Sequence, residues 1–570
     1  MIPATHWWQD ALVYQVYVRS FADTTGDGVG DLDGIRTHLD HIASLGADAI
    51  WLNPCYPSPQ KDHGYDVSDY FGIHDEYGDL ATFDALVTEA QARGIKILMD
   101  VVPNHCSSQH RWFLDALAAA PGSPERARFY FRDGKGPHGS EPPNNWQAAF
   151  GGSAWTRATA DSDLNDTQWY LGTFTPHQPD FDHTNAEVQA MFADVLRFWF
   201  DRGVEGFRVD AITPVGKDPA LPDQPPVGPE VGVLDVTWAN PYTVFREEGH
   251  VVWRQWRTVI DSYAAAHPER DLMMVAEAYA TRRPELLRAF TRSDEFHQMF
   301  AFDLMLSPWH KESVERALED VIGLTHETHF AAAWTLNNHD TQRIVTRLGR
   351  PEAEDPDSWT GNNLSQTGSD IDLELGTRRS RAMTALAFAV PGSLYLYQGE
   401  ELGLPEVFDI PDDRREDPVF HLTHGEGVGR DGCRIPLPWT ADPATAFGFS
   451  SPTKAGLVDD PWLPQPSTWG LYAASGQQHP GTMLDLYQQL SAARRRHALP
   501  QGLGAHTVDL GPGLVGLRRG SLLVVMNVTQ ADIDLSGGEL LRGAEMIIAT
   551  EPTGPAATIA ADSTTWFSLS

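Results

Sequence analysis

Apolar and polar positions along the first 400 residues fall into two recurring textures. Short, nearly continuous apolar runs occupy residues 12–18, 47–52, 95–101 and 272–277, with the length and composition of buried strands. Longer stretches at 32–45, 83–93 and 188–202 space apolar residues three and four apart, which predicts amphipathic helices. Between residues 205 and 211 the sequence EGFRVDA sets Phe207 and Val209 against Arg208 and Asp210. Side chains alternate along a strand, so one face here enters a core while the other presents an arginine and a carboxylate. Further strands are predicted at 298–303, 333–340 and 393–397.

The pattern breaks from residue 103 to 182, where Gly, Pro, Asn and Trp are frequent. Some eighty residues are too many for a plain loop, and an inserted small domain is the economical account. Residues 214–241 are Pro-rich, and 350–373 read as a polar, mobile loop. A last helix is predicted at 484–497. After Pro500 the texture changes to short alternating runs at 515–517, 522–527, 545–549 and 564–569, the pattern of an antiparallel β-sandwich.

Three predicted strands end in a carboxylate: Asp210, Glu277 and Asp340, the last preceded by His339. One such acid is usually a surface cap. Three in order can converge at the C-terminal mouth of a ring of parallel strands. Arg208 would lie on the same side as Asp210 and favour its ionised, nucleophilic form.

At these positions the chain resembles the α-amylase family of glycoside hydrolases. DVVPNH (100–105), GFRVDA (206–211), VAEA (275–278) and NNHD (337–340) are similar to its four signature regions, in the family's order. DGVGDLDGI (27–35), QPDFD (178–182) and PGSLYLYQGEE (391–401) resemble its secondary motifs. The resemblance implies an α/β fold: a (β/α)8 TIM barrel formed by 1–102 and 185–499, with a domain inserted at 103–184 and a β-sandwich at 500–570. It implies Asp210 as nucleophile, Glu277 as acid/base and Asp340 as transition-state stabiliser. Tyr65, Asp66, His105, Arg208 and His339 are implied substrate contacts. Within GRDGCR (429–434), Arg430 is expected to pair with Asp66, with Arg414, Arg415 and Arg434 as competitors. Paired carboxylates cleave a glycosidic bond with retention when their oxygens lie roughly 5–5.5 Å apart, and with inversion at roughly 6.5–9.5 Å.

In the α-glucosidase branch, Val after the nucleophile goes with α-1,6 preference and a smaller residue with α-1,4. Ala211 and the QPDFD form point to exo-cleavage of maltose-like α-1,4-glucosides, with transglucosylation as a side reaction. Trehalose synthase, sucrose hydrolase or amylosucrase-like activities share the same groups. A non-catalytic, membrane-anchored amylase-like protein is disfavoured by the three retained carboxylates.

The segment 23–31, DTTGDGVGD, spaces carboxylates among glycines as a hard-cation loop does, or as a plain acidic turn does. Gly34 stands where a calcium hand would carry Glu. The resemblance implies calcium or magnesium held by Asp23, Thr25, Asp27 and Asp31 and the carbonyl of Val29.

Composition narrows the rest. Apolar content of 41% supports a sizeable core. A formal charge of −36, from 42 basic and 78 acidic residues, disfavours nucleic acid and anionic membranes as partners. The expected partner is a small α-glucoside; oligomeric state is not legible. Three cysteines give no disulfide framework or metal spacing, and no signal peptide or apolar span is visible, so a cytoplasmic location is expected.

Overall fold

The computed structural model describes residues 6–159, 166–226, 239–328, 331–351, 370–451, 460–538, 540–552 and 557–569. Most of the polar loop expected at 350–373, and 227–238 of the Pro-rich segment, lie outside the described residues.

Eight parallel strands close a barrel: β1 (Leu12–Val16), β2 (Ala49–Leu52), β3 (Lys96–Val101), β7 (Gly206–Val209), β8 (Met273–Ala276), β9 (Gln298–Ala301), β10 (Ala333–Thr335) and β11 (Ser393–Tyr397). Going round the ring the order is β1-β11-β10-β9-β8-β7-β3-β2. Strand alternation divides the apolar residues into two clusters. Val13, Trp51, Leu98, Val275, Phe300 and Tyr395 fill the inside. Leu12, Ile50, Ile97, Phe207, Met274 and Leu394 face outward under the helices. Gly206 stands inside because a Cβ there would lie 2.5 Å from the Met273 carbonyl oxygen.

The helices form where periodicity predicts, with side-chain caps that set their starts. Asp79 accepts from Thr82 N ahead of Leu80–Ala92, and Asn185 accepts from Glu187 N ahead of Ala186–Asp201. The stretch expected as one helix at 32–45 is two, Leu32–Thr37 and Leu39–Ser44. His38 leaves helical geometry because its Nδ1 bonds back to Gly34 O at 2.9 Å and its ring stacks on Trp439.

After β3 the chain makes a helix, Arg111–Ala118, and a three-stranded antiparallel sheet ordered β4 (Phe131–Asp133), β6 (Gln168–Leu171), β5 (Trp155–Arg157). Its small core of Tyr130, Trp146, Trp155 and Leu171 is separate from the barrel's. This segment rejoins the site through a bridge between His105 and Asp180.

The C-terminal strands are β12 (His506–Asp509), β13 (Leu514–Arg519), β14 (Leu522–Asn527), β15 (Ile533–Asp534), β16 (Glu545–Ala549), β17 (Thr558–Ile559) and β18 (Ser563–Ser568). Five form an antiparallel sheet, β12-β13-β14-β18-β16, and β15 pairs with β17. The two layers are unequal. Val515, Leu517, Val524 and Trp566 pack on the barrel, while Leu514, Leu523, Val525 and Phe567 pack on Ile559 and the short ribbon. Buried ion pairs tie this sheet down: Arg379 to Asp562 at 3.0 Å and Arg519 to Asp10 at 3.1 Å.

Candidate active site

The inward face of β7 carries Arg208 to the mouth of the barrel, and its guanidinium organises three carboxylates. Nη1 donates to Asp100 at 2.9 and 3.0 Å and to Asp210 Oδ1 at 2.7 Å. Nη2 lies 3.7 Å from Glu277 Oε2. Glu277 also accepts from Ala211 N at 2.9 Å. That N–H is aimed by a left-handed residue, since Ala211 has φ 42°, a region L-residues avoid. Burial pushes the Asp210 carboxyl well up, and Asp100, Glu277 and Asp340 reinforce this; Arg208 opposes it. Arg208 therefore contends with burial for the charge state of Asp210 and does not set it alone. Burial raises the Glu277 carboxyl as well, against the pull of Arg208 and the Ala211 N–H.

Asp340 lies across the mouth in a nest of cations. Its Oδ1 accepts from Arg430 Nη1 at 3.1 Å and from Arg434 Nη2 at 2.9 Å, and Oδ2 lies 3.2 Å from His339 Nε2. Burial alone would raise this carboxyl, but the facing His339 and arginines hold it well below the ordinary range. Asp340 acts electrostatically on both Asp210 and Glu277, so the three strand-end carboxylates lie near one another.

Two expectations are corrected here. Arg430 does not pair with Asp66; Nη2 donates to Asp62 Oδ1 at 2.8 Å. Asp66 does not face a ligand. It is fully buried, and accepts from Ser58 Oγ, Lys61 N and Asp62 N within 3.0 Å, closing the turn beneath the site. Left-handed conformations at His63 (φ 51°) and Gly64 (φ 97°) reverse the chain, so Asp62 and Tyr65 serve the pocket while Asp66 folds away. Among the competing arginines, Arg434 also reaches Asp340, whereas Arg414 and Arg415 are spent on backbone carbonyls.

Tyr65 and His339 stack with ring centroids 5.3 Å apart, only 2° from parallel. Gln15 Nε2 donates to His339 Nδ1 at 2.8 Å, which places the imidazole proton on Nε2. That nitrogen lies 2.7 Å from Tyr65 Oη, and Tyr65 in turn donates to Asp100 Oδ2 at 2.9 Å. His105 is buried, 3.1 Å from the Tyr65 carbonyl and 3.0 Å from the Gln178 amide. Burial lowers the His105 imidazole to about 4, so the ring is neutral near pH 7. Gln178 also donates to Asp62, and Lys217 ties the same segment to the barrel by bonding Asp180 at 2.9 Å and Asn104 at 3.0 Å. Asp62, Asp100, Gln15, Gln178 and Lys217 were not singled out from sequence. For Gln15 and Asp100 the available signal was a polar residue interrupting an apolar strand.

In the 23–31 loop the carboxylates are occupied. Asp23 accepts from Thr25, Gly26 and Gly28 N–H groups, and Asp31 from Thr24 N and Gly34 N. Asp27 is exposed and accepts from Val29 N; Thr25 Oγ1 points back to Asp23. Among the described residues no three His, Cys, Asp or Glu side chains gather as an ion site. The three cysteines are free and buried. No described helix is long and apolar enough to cross a membrane.

An eight-stranded parallel barrel with carboxylates gathered at its strand ends is an arrangement that glycoside hydrolysis can use. The chain belongs to the α-amylase family: the model of the alpha amylase catalytic domain matches residues 15–502. An alpha-glucosidase of Culex pipiens is 32% identical over 557 residues, covering 94% of this chain and 84% of the relative. A trehalose-6-phosphate hydrolase of Escherichia coli is 34% identical over 514 residues, covering 87% and 85%. Among solved structures, the alpha-glucosyl transfer enzyme XgtA superposes with a TM-score of 0.82 at 30% identity, over 99% of both chains.

Proposed function

We propose that this chain is a retaining, exo-acting α-glucosidase that removes terminal α-1,4-linked glucose from maltose and short malto-oligosaccharides. The observation that carries the reading is Arg430 bridging Asp62 and Asp340. It draws two separate loops together beside the barrel mouth, which supports a pocket closed at one end rather than a through-running cleft. Only a chain terminus enters such a pocket.

The chemistry follows from unequal positions around Arg208. The guanidinium lies 2.7 Å from Asp210 but 3.7 Å from Glu277, so it favours negative charge on Asp210 more than on Glu277. Anionic Asp210 attacks the anomeric carbon. The glycosidic C–O bond breaks as Glu277 gives its proton to the leaving oxygen. Esterified Asp210 no longer carries charge, Glu277 becomes the base, and it takes a proton from the water that releases α-glucose. Asp340, kept anionic by its arginines, grips ring hydroxyls and stabilises the oxocarbenium-like transition state. His105 and His339 are neutral and place Tyr65 for the sugar, His105 at its carbonyl and His339 at its hydroxyl.

Ala211 supports α-1,4 over α-1,6 preference. The likeness to a glucosyl-transfer enzyme over the full chain favours a second outcome for the glucosyl-enzyme, capture by an acceptor hydroxyl. A panel of maltose to maltoheptaose, isomaltose, sucrose, trehalose and trehalose-6-phosphate tests the reading. Maltose is expected to be cut fastest, giving α-glucose first. Faster isomaltose or trehalose-6-phosphate cleavage would overturn it.

A further inference from the structure

Arg430 supplies three nitrogens to three carboxylates, and only two of those acids border the pocket. The third, Asp417, lies behind the guanidinium. Its Oδ2 accepts from Arg430 Nε at 2.6 Å and from Arg430 N at 3.1 Å, so it holds side chain and backbone together. Its Oδ1 accepts from Val419 N at 2.8 Å and caps the short helix Pro418–Leu422. Its own N–H bonds Asp431 at 3.2 Å. The side chain is fully buried. The facing strand of backbone is pressed against it: Gly429 has φ 70°, and a Cβ there would lie 2.8 Å from Asp417 Cβ. With Nε and N pinned by one carboxylate, Nη1 and Nη2 can point only at Asp340 and Asp62.

We propose that Asp417 is a positioning residue for substrate binding, which acts through Arg430 by fixing the guanidinium that closes the glucose pocket. Asp417 itself lies behind Arg430 and acts on the sugar through it, Arg434 Nη1 standing further off at 3.9 Å. A flexible arginine between two acids would satisfy either one alone; the third carboxylate removes that freedom and makes the bridge simultaneous. The inference rests on the α-glucosidase reading, which identifies the pocket as a glucose site.

The test is a two-by-two comparison on the full chain: native, Asp417→Asn, Arg430→Ala, and the double variant, each with a thermal melt. Asp417→Asn keeps the shape and the capping oxygen and loses the charge. It is expected to raise KM for maltose about tenfold with kcat within about threefold, because a contact equal in ground and transition states is weakened. In the Arg430→Ala background the same change is expected to alter KM less than about twofold, since nothing is left to position. A lowered fraction of folded enzyme would reduce apparent kcat and leave KM unmoved. An unchanged KM in Asp417→Asn, or an equal increment with and without Arg430, overturns the inference. If the native chain turns over no α-glucoside, the functional reading fails, and the same four proteins compared for glucose affinity by calorimetry decide the role of Asp417.

Discussion

Arg208 Nη1 lies 2.7 Å from Asp210 Oδ1, two residues further along the same strand direction, and both side chains are buried in the barrel mouth. The same guanidinium holds Asp100 and leans toward Glu277. One planar cation thus fixes the relative placement of three acids that burial would otherwise neutralise or push apart.

Arg208→Lys is expected to keep the fold and lose at least about 10²-fold in kcat on maltose, because a point charge cannot reach all three carboxylates in the fork geometry. Arg208→Ala leaves buried acids without their partner and is expected to cost about 3–5 kcal/mol of stability. Steady-state kinetics and urea unfolding check both; wild-type turnover in the lysine variant would remove Arg208 from the account.

Ala211 joins the two reacting acids through a backbone strained into left-handed space. Ala211→Val adds a β-branched side chain there, expected to cost about 1–2 kcal/mol, and crowds the pocket beside Asp210. The ratio of kcat/KM on maltose to that on isomaltose is expected to fall at least about tenfold. An unchanged ratio would detach linkage preference from this position.

The acids and arginine of the triad were legible in sequence because each closes or alternates within a short apolar run. Asp100 carries the same signal, two residues after inward-facing Leu98. Asp62 and Asp66 flank the same turn, and sequence cannot tell which of two acids a left-handed His63 turns toward the pocket. Asp417 was hidden altogether, since its work is done against Arg430 across a loop whose path only tertiary packing decides. The barrel itself followed from strand and helix periods; the break at His38 did not, because it depends on Trp439 some 400 residues away.

Glu400 is buried, accepts from Tyr487 Oη at 2.8 Å, and is pushed by burial to about 7. A carboxyl raised in the folded state binds a proton that the unfolded chain has already lost. Its contribution to stability is therefore full below the ordinary glutamate range and is lost as pH rises toward 7. Glu400→Gln removes that loss, so the Tm of the variant relative to wild type is expected to climb between pH 5 and pH 8. A pH-independent difference would contradict the assignment.

Backbone N–H groups occupy Asp23 and Asp31 in the 23–31 loop. Dialysis against a chelator is expected to leave Tm unchanged, and metal analysis of the dialysed protein to find no stoichiometric calcium or magnesium. A fall in Tm restored by either ion would show that the loop rearranges to bind it.

The central claim is that Asp210 attacks the sugar. It is tested most directly by trapping the enzyme with 5-fluoro-α-glucosyl fluoride, digesting it, and sequencing the labelled peptide by mass spectrometry. The account predicts a single fluoroglucosyl adduct on Asp210, absent from Asp210→Asn. An adduct on Glu277, on Asp340 or on any other residue would contradict it.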